Sequence, residues 1–517
     1  MRLPRLQPLK AAIGFYGETG VRFSDLGISE VVTDALQRKA FSRPSLVQES
    51  VIPSVAVGKS AVIAAETGSG KTLSYLAPIA SLLLKQKERL QDDPRRHRFH
   101  AMVLCPNVTL CRQVLSMANA LATPEGSPLL KASLINASNP PAQDSPDIII
   151  STPAAMLSFI GEAGPSYGPL WTEEGLAARV RHMVLDEADM LMGGGFDKQT
   201  SRLLNIFRSD DRRRVEAKVF EELGINRQDL MRLPRPMQVA CWKAGSRGLM
   251  EAGYRVPGGW QTHNPDTFGP YWKRQYLFVA ATMPNITFSD AGSEIARMFP
   301  EAEWLSSEML HHNKAAVSHS WFEVDNDSIK STLLRVIKED ADYSSGCAKI
   351  LVFAGETASA DTFSDMLREA GIRHVVYHKN RESQERSEAL EYMSDDTNGK
   401  PRVMVCTDSV SRGLDIQNVT HVIQAQFAPN AIDFIHRAGR TGRAGSQGKV
   451  TSLYQSHDLA LVHVLKQYVE EGRPLEAAFS RARSFSRKLK RKGEFIPRGY
   501  NSKTEYDKDL SIATETL

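Results

Sequence analysis

The sequence predicts an α/β protein: two doubly wound parallel-sheet domains in tandem, followed by a basic C-terminal extension. Three observations carry this expectation. Short apolar runs alternate with helical patterns through both halves of the 517-residue chain. A polar stretch breaks the rhythm near the middle. Positive charge is concentrated close to the C-terminal end.

In the first half the predicted strands are Ser60–Ala65, His100–Cys105, Asp147–Ser151, His182–Leu185 and Tyr276–Ala280. In the second half they are Lys349–Phe353, His374–Tyr377, Arg402–Cys406, His421–Gln424 and Lys449–Leu453. Each is a nearly continuous apolar run, and most are separated by a helical segment. Continuous apolar strands alternating with helices are the pattern of parallel sheets covered on both faces.

The expected organisation follows from composition. Residues 1–20 form an N-terminal segment with Arg2, Arg5 and Lys10 and no acid before Glu18, compatible with the remnant of an organelle presequence. Residues 21–305 form the first domain, with an insertion over about 209–274 that holds Trp242, Trp260 and Trp272 and the run Arg212–Arg213–Arg214. Residues 306–319 are the polar linker, 320–475 the second domain and 476–517 the tail. Between Arg481 and Arg498 eight basic residues stand against one acid, a local +7 in a chain of +4 overall. Such a cluster can displace counterions from a polyanion, although a solvated helix face has the same composition.

Hydrophobic residues at 42% and charged residues at 24% are an ordinary globular mixture, which excludes global disorder and fibrous repeats. Cys105, Cys111, Cys241, Cys347 and Cys406 are scattered and form no CxxC pair. This excludes a disulfide framework and a zinc-finger spacing. No apolar run is long enough to predict a membrane span.

Three segments carry chemistry. The first, Ala65-Glu66-Thr67-Gly68-Ser69-Gly70-Lys71-Thr72, follows an apolar strand and opens a helix. Gly68 and Gly70 let backbone N–H groups approach phosphate oxygens at a helix N-terminus. Lys71 reaches the β- and γ-phosphates of a nucleotide, and Thr72 can bind Mg2+. The second, Asp186-Glu187-Ala188-Asp189, follows the strand at 182–185. Asp186 would share the Mg2+ with Thr72, and Glu187 would position or deprotonate the attacking water. The third, His436–Gly445 (HRAGRTGRAG), lies in the second domain. There Arg440 and Arg443 are expected to act across the interface as arginine fingers on the γ-phosphate.

In this order the motifs resemble those of the DEAD-box ATP-dependent RNA helicases, over roughly Val21 to Phe479. The resemblance implies two RecA-like domains that bind ATP, Mg2+ and single-stranded or short duplex RNA without regard to sequence. It implies a monomer that couples hydrolysis to local duplex opening. By that resemblance Phe23 stacks on adenine and Gln48, in Phe41–Gln48, reads its edge. Gly413 and Asp415, in TDSVSRGLDI, lie by the nucleotide. Asp189, Ala280, Thr282 and His436 couple hydrolysis to RNA, and Thr152, Pro153, Arg386 and Thr407 lie along the RNA.

The chain departs from the family at several points. Val108 and Thr109 replace an Arg and a Glu, Ala155 replaces an Arg, and Ala280 replaces a Ser. Ninety residues separate Asp189 from Ala280. The ATP machinery is whole, whereas the first domain has fewer groups to grip phosphates, and each one missing weakens sequence-independent affinity. The basic tail is expected to restore it. The segments LCPN, STPAAML, YHKN, HVIQAQFA and AFSRARSFSRKLKRK resemble the plant organellar branch. That implies the plastid first, the mitochondrion second, and work on organellar RNA including ribosome assembly. An ATP-gated RNA clamp with little unwinding is the alternative that Ala280 keeps open. A DNA translocase fits the adenine motif poorly, and a small-molecule kinase would not need Arg440 and Arg443.

Overall fold

The computed structural model describes residues 7–8, 16, 20–66, 68–92, 99–136, 138–141, 145–193, 195–254, 273–283, 291–306, 317–395, 399–408, 416–443 and 446–471. Two sheets organise them. The first has eight strands: β1 (Gln7–Pro8), β2 (Ala61–Ala64), β3 (His100–Leu104), β4 (Ala132–Leu134), β5 (Ile148–Ser151), β6 (Val180–Asp186), β7 (Gln275–Ala280) and β8 (Glu303–Ser306). The second has six: β9 (Val317–Glu323), β10 (Lys349–Phe353), β11 (Val375–Tyr377), β12 (Arg402–Cys406), β13 (His421–Gln424) and β14 (Gly448–Tyr454).

The spatial orders are β1-β8-β2-β7-β6-β3-β5-β4 and β11-β12-β10-β13-β14-β9. Every pairing is parallel. The change of sheet falls between Ser306 and Val317, around the expected linker. Each sheet is buried on both faces, which is why its central strands read as unbroken apolar runs. On the first, Ile63, Val103 and Ile150 point into one core cluster, and Val62, Met102 and Ile149 into the other. The second sheet divides likewise between Val352 and Ile423 on one side and Leu351 and Val422 on the other.

All ten predicted strands are present, shifted by at most two residues at an end. Four were not anticipated. β1 and β4 are only 2 and 3 residues long. β8 alternates half-buried with buried positions, and β9 is half-buried or exposed at every position after Val317, so neither reads as an apolar run.

The insertion is helical where it is described. Helix Asp197–Leu223 starts inside the first domain, packs Leu203, Leu204 and Phe207 into its core, and continues outward. Helices Arg227–Arg232 and Arg235–Glu251 fold back on it around Val219, Leu223, Leu230, Cys241 and Leu249. Trp260, Trp272 and the tail from 476 lie outside the described residues. No helix among the described residues is long and apolar enough to cross a membrane.

Candidate active site at the domain interface

A parallel sheet delivers its loops to one edge, and the phosphate loop and the acidic segment leave β2 and β6 at their C-terminal ends, whereas the His436–Arg443 segment runs out of helix Ala431–Ala438. The phosphate loop follows β2. Ala64 is in register with Ala280 of β7, and Ala65 N–H donates to the Ala280 carbonyl at 3.2 Å. Gly68 and Gly70 have φ of +82° and +90°, a conformation that side chains with a Cβ rarely adopt. Lys71 opens helix Lys71–Asp92, and its Nζ donates to the carbonyls of Ala65 and Glu66 at 2.7 and 2.9 Å. Burial lowers the Lys71 pKa, opposed by the charges of Glu187, Glu66 and Asp186, while Arg440 pushes in the same direction as burial. Thr72 follows at the helix start, half-buried. Thr67 lies outside the described residues.

The acidic segment ends β6. Asp186 accepts a hydrogen bond from Tyr75 Oη at 2.8 Å. Burial, with the Glu187 charge beside it, pushes the Asp186 carboxyl up to about 6, and the Tyr75 hydroxyl opposes this. Glu187 has φ of +55°, unusual for a residue with a side chain, and its buried Oε2 has no hydrogen-bond partner. Backbone strain and an unpartnered buried oxygen together mark a side chain held for a purpose other than stability.

Three side chains of the second domain reach this edge. His436, in helix Ala431–Ala438, places Nε2 at 3.5 Å from Asp189 Oδ2 and at 3.5 Å from Thr282 Oγ1. Thr282 in turn donates to Asp189. Arg440 is 3% exposed and donates from Nε to the His436 carbonyl. Arg443 packs on Gly68. One atom each from Glu187, Asp189 and His436 lie within 4.8 Å of one another.

Arg437, between these residues in sequence, does something else. Its side chain is fully buried, donates to both oxygens of Asp408 at 2.6 and 2.8 Å, and lies over the Phe353 ring. It ties the end of β12 to the helix that presents His436.

The adenine segment requires a correction. Phe23 is 2% exposed and packed in the first core cluster, so its ring has no free face for a base. Phe41, seven residues before Gln48, is 42% exposed and is the accessible ring of that segment. Both were visible in the sequence, but only burial separates them. Gln48 accepts from Ser45 N–H at 2.9 Å and donates from Nε2 to the Gly70 carbonyl at 3.2 Å. Ser45 Oγ donates to the Ser69 carbonyl at 2.7 Å. A helix capping box thus braces the phosphate loop, with one Gln48 amide hydrogen left over.

Ala280 is buried in β7 and acts only through its backbone and packing. Thr152 caps helix Pro153–Gly161 through the Ala155 N–H, and Pro153 is buried as its first residue. Thr407 closes β12 with 8% exposure. Arg386 sits half-buried on helix Ser383–Ser394, with its Nε buried and unpartnered. Gly413 and Asp415 lie outside the described residues. Sequence reasoning missed Tyr75 and Asp408, which sit in ordinary helix and strand-end contexts.

Comparison with known proteins agrees with this geometry. The DEAD/DEAH box helicase family model matches residues 45–220, and the helicase conserved C-terminal domain model matches 331–445. The DEAD-box ATP-dependent RNA helicase 22 of Oryza sativa subsp. japonica is 36% identical, covering 92% of this chain and 85% of its own. The protein of the same name from Arabidopsis thaliana is 35% identical, with the same coverage. Among solved structures, Mss116p bound to ssRNA and AMP-PNP matches with a TM-score of 0.62 at 16% identity, covering 95% of this chain and 91% of that one. S. cerevisiae Dbp5 bound to RNA and ADP BeF3 matches at 0.59 and 18%, covering 87% and 93%. At these identities the structures establish the shared two-domain fold, while the plant relatives and the family models establish membership: the chain belongs to the DEAD-box ATP-dependent RNA helicases.

Proposed function

We propose that the chain is an RNA-stimulated ATPase that opens short RNA duplexes or remodels RNA–protein particles. The observation that carries this is the meeting of His436, Arg440 and Arg443 with the phosphate loop and acidic segment of the other domain. The loop from Ala65 to Thr72 would hold the ATP phosphates, with Lys71 released from its carbonyl partners to the β- and γ-phosphates. Phe41 would stack on the base. Glu187 Oε2 would accept a hydrogen bond from the attacking water and orient it. Arg440 and Arg443 would stabilise charge on the γ-phosphoryl group as the bond to it breaks.

Mg2+ fits the residues present. Asp186 is a buried carboxylate that is costly to leave bare, and Glu187 offers an unpartnered oxygen beside it. Asp186 and Thr72 would hold the ion directly or through water, and its charge would offset that of the phosphates.

RNA would lie along Thr152, Arg386 and Thr407, touched mainly at phosphates and sugars. Asp189, Thr282 and His436 form one hydrogen-bonded cross-domain cluster, so RNA that favours closure would favour hydrolysis. With Ala280 in place of a hydroxyl residue, the cluster carries this coupling through Thr282. Gly413, Asp415 and the tail from Arg481 are further binding groups by resemblance. We place the protein in the plastid, acting on organellar RNA during ribosome assembly. The plant source of both 22-type relatives supports this.

The test is ATPase with RNA, with DNA of the same sequence and with neither, beside a strand-displacement assay. RNA-specific stimulation with displacement is expected. Hydrolysis without displacement would indicate the clamp, and equal stimulation by DNA would overturn the reading. A fluorescent fusion seen outside the plastid would overturn the placement.

A further inference from the structure

The stretch that carries Phe41 toward the phosphate-loop brace is irregular. Residues 41–44 form neither helix nor strand. Ala40, just before them, has φ of +62°, a left-handed conformation that a side chain makes unfavourable. Strained backbone of this kind persists only where its surroundings hold it. At its far end the stretch is anchored. Ser45 caps helix Leu46–Ala56, and its Oγ donates to the Ser69 carbonyl at 2.7 Å. The position of Phe41 relative to that anchor depends on what restrains the residues between them.

The N-terminal segment supplies a restraint. Tyr16 forms an antiparallel β-bridge with Ser45. The Arg43 guanidinium lies over the Tyr16 ring, 5.1 Å from its centroid. Tyr16 is thus tied by its backbone to the helix cap and by its ring to the residue two places earlier. The same segment reaches the same edge of the first sheet. Pro8 of β1 is in register with Ser306 of β8, and Ser306 is in register with Ala64, which precedes the phosphate loop. Tyr16 is 51% exposed and Arg43 half-buried. A cation–π contact at that exposure is weak beside the stability of a domain, but strong enough to bias a short irregular stretch.

We propose that Tyr16 is a positioning residue for nucleotide binding: pinned by Arg43 and Ser45, it holds residues 41–44 so that Phe41 is in place for the base before ATP arrives. The proposal rests on the reading of Phe41 and Gln48 as the adenine contacts. A stretch ordered in advance does not have to be ordered by the ligand, so the benefit falls on binding. That benefit is the same in the ground and transition states, so it moves KM and leaves kcat. A tyrosine that served only the fold would lower stability without a selective effect on KM.

The test measures ATPase against ATP concentration at saturating RNA, beside equilibrium ATP binding and thermal melting, for the full chain and its variants. Tyr16→Ala should raise KM and Kd for ATP roughly fivefold, with kcat within about twofold of wild type and melting nearly unchanged. Tyr16→Phe keeps the ring over which Arg43 lies and should restore the wild-type KM. Arg43→Ala should also raise KM, and the double variant should be no worse than Arg43→Ala alone, because the two side chains act as one unit. An unchanged KM in Tyr16→Ala beside a raised KM in Phe41→Ala would overturn the proposal. So would fully additive effects of Tyr16→Ala and Arg43→Ala, or a loss of melting temperature and kcat with KM unmoved. If Phe41→Ala itself left KM at the wild-type value, the adenine reading would fail, and the proposal with it.

Discussion

Arg443 of the second domain lies on Gly68 of the phosphate loop so closely that a Cβ built at Gly68 would come within 3.1 Å of the arginine Cγ. The glycine is therefore needed twice. Its φ of +82° disfavours a side chain, and the bare backbone leaves room for a residue of the other domain. Gly68→Ala should lower RNA-stimulated ATPase by on the order of a hundredfold, since a finger displaced by a fraction of an ångström no longer meets the transition state. Steady-state ATPase with saturating RNA checks this. A variant within threefold of wild type would show that Arg443 does not need that approach.

Tyr75 holds Asp186 from within the core. Removing the donor leaves a buried carboxylate with one hydrogen bond fewer, a loss of about 1.5–3 kcal/mol for a bond to a charged group. Tyr75→Phe should raise the Mg2+ concentration for half-maximal ATPase roughly tenfold and lower the melting temperature by several degrees. An unchanged Mg2+ titration would mean that Asp186 is positioned by other groups.

Phe23 and Phe41 separate folding from binding. Phe23→Ala opens a cavity in the first core and should cost about 3–5 kcal/mol of stability. Phe41→Ala should leave melting almost unchanged and raise KM for ATP, with a smaller effect on kcat. If Phe23→Ala raised KM without loss of stability, the assignment of the two rings would be reversed.

His182 supplies a pH dependence in the first domain. It is buried beside β7, with Nδ1 at 2.7 Å from Gln275 Oε1, and burial lowers its pKa from 6.5 to about 4. The unfolded chain binds a proton that the folded chain refuses, so this stability is present above pH 6.5 and is lost as pH falls toward 4. The loss approaches about 3 kcal/mol. His182→Gln should make melting temperature fall less steeply over that window. Parallel pH profiles for the two proteins would remove His182 as the source.

The sequence displayed much of this because parallel strands buried on both faces are nearly pure apolar runs, as in Ile148–Ser151 and Lys349–Phe353. The phosphate loop and the acidic segment were visible because glycines and carboxylates stand where β2 and β6 end, and the arginine motif because its three arginines stand among glycines. Burial was not visible. Phe23 and Phe41 are alike in sequence, as are Arg437, Arg440 and Arg443, yet one of each set is spent on the core. Tyr75 gave no signal because a tyrosine in an apolar helix looks like packing until its hydroxyl is seen to meet Asp186. β9 was hidden because a sheet-edge strand that is half-buried or exposed after Val317 resembles polar linker.

The central claim is that ATP held by the first domain is cleaved when arginines of the second domain close on it. The most direct measurement is single-turnover ATP hydrolysis with saturating RNA, beside equilibrium ATP binding, for wild type, Arg440→Ala and Arg443→Ala. The account predicts ATP affinity within a few-fold of wild type and a cleavage rate lower by about a thousandfold in each variant. Cleavage at the wild-type rate in either variant, with RNA bound, would contradict it.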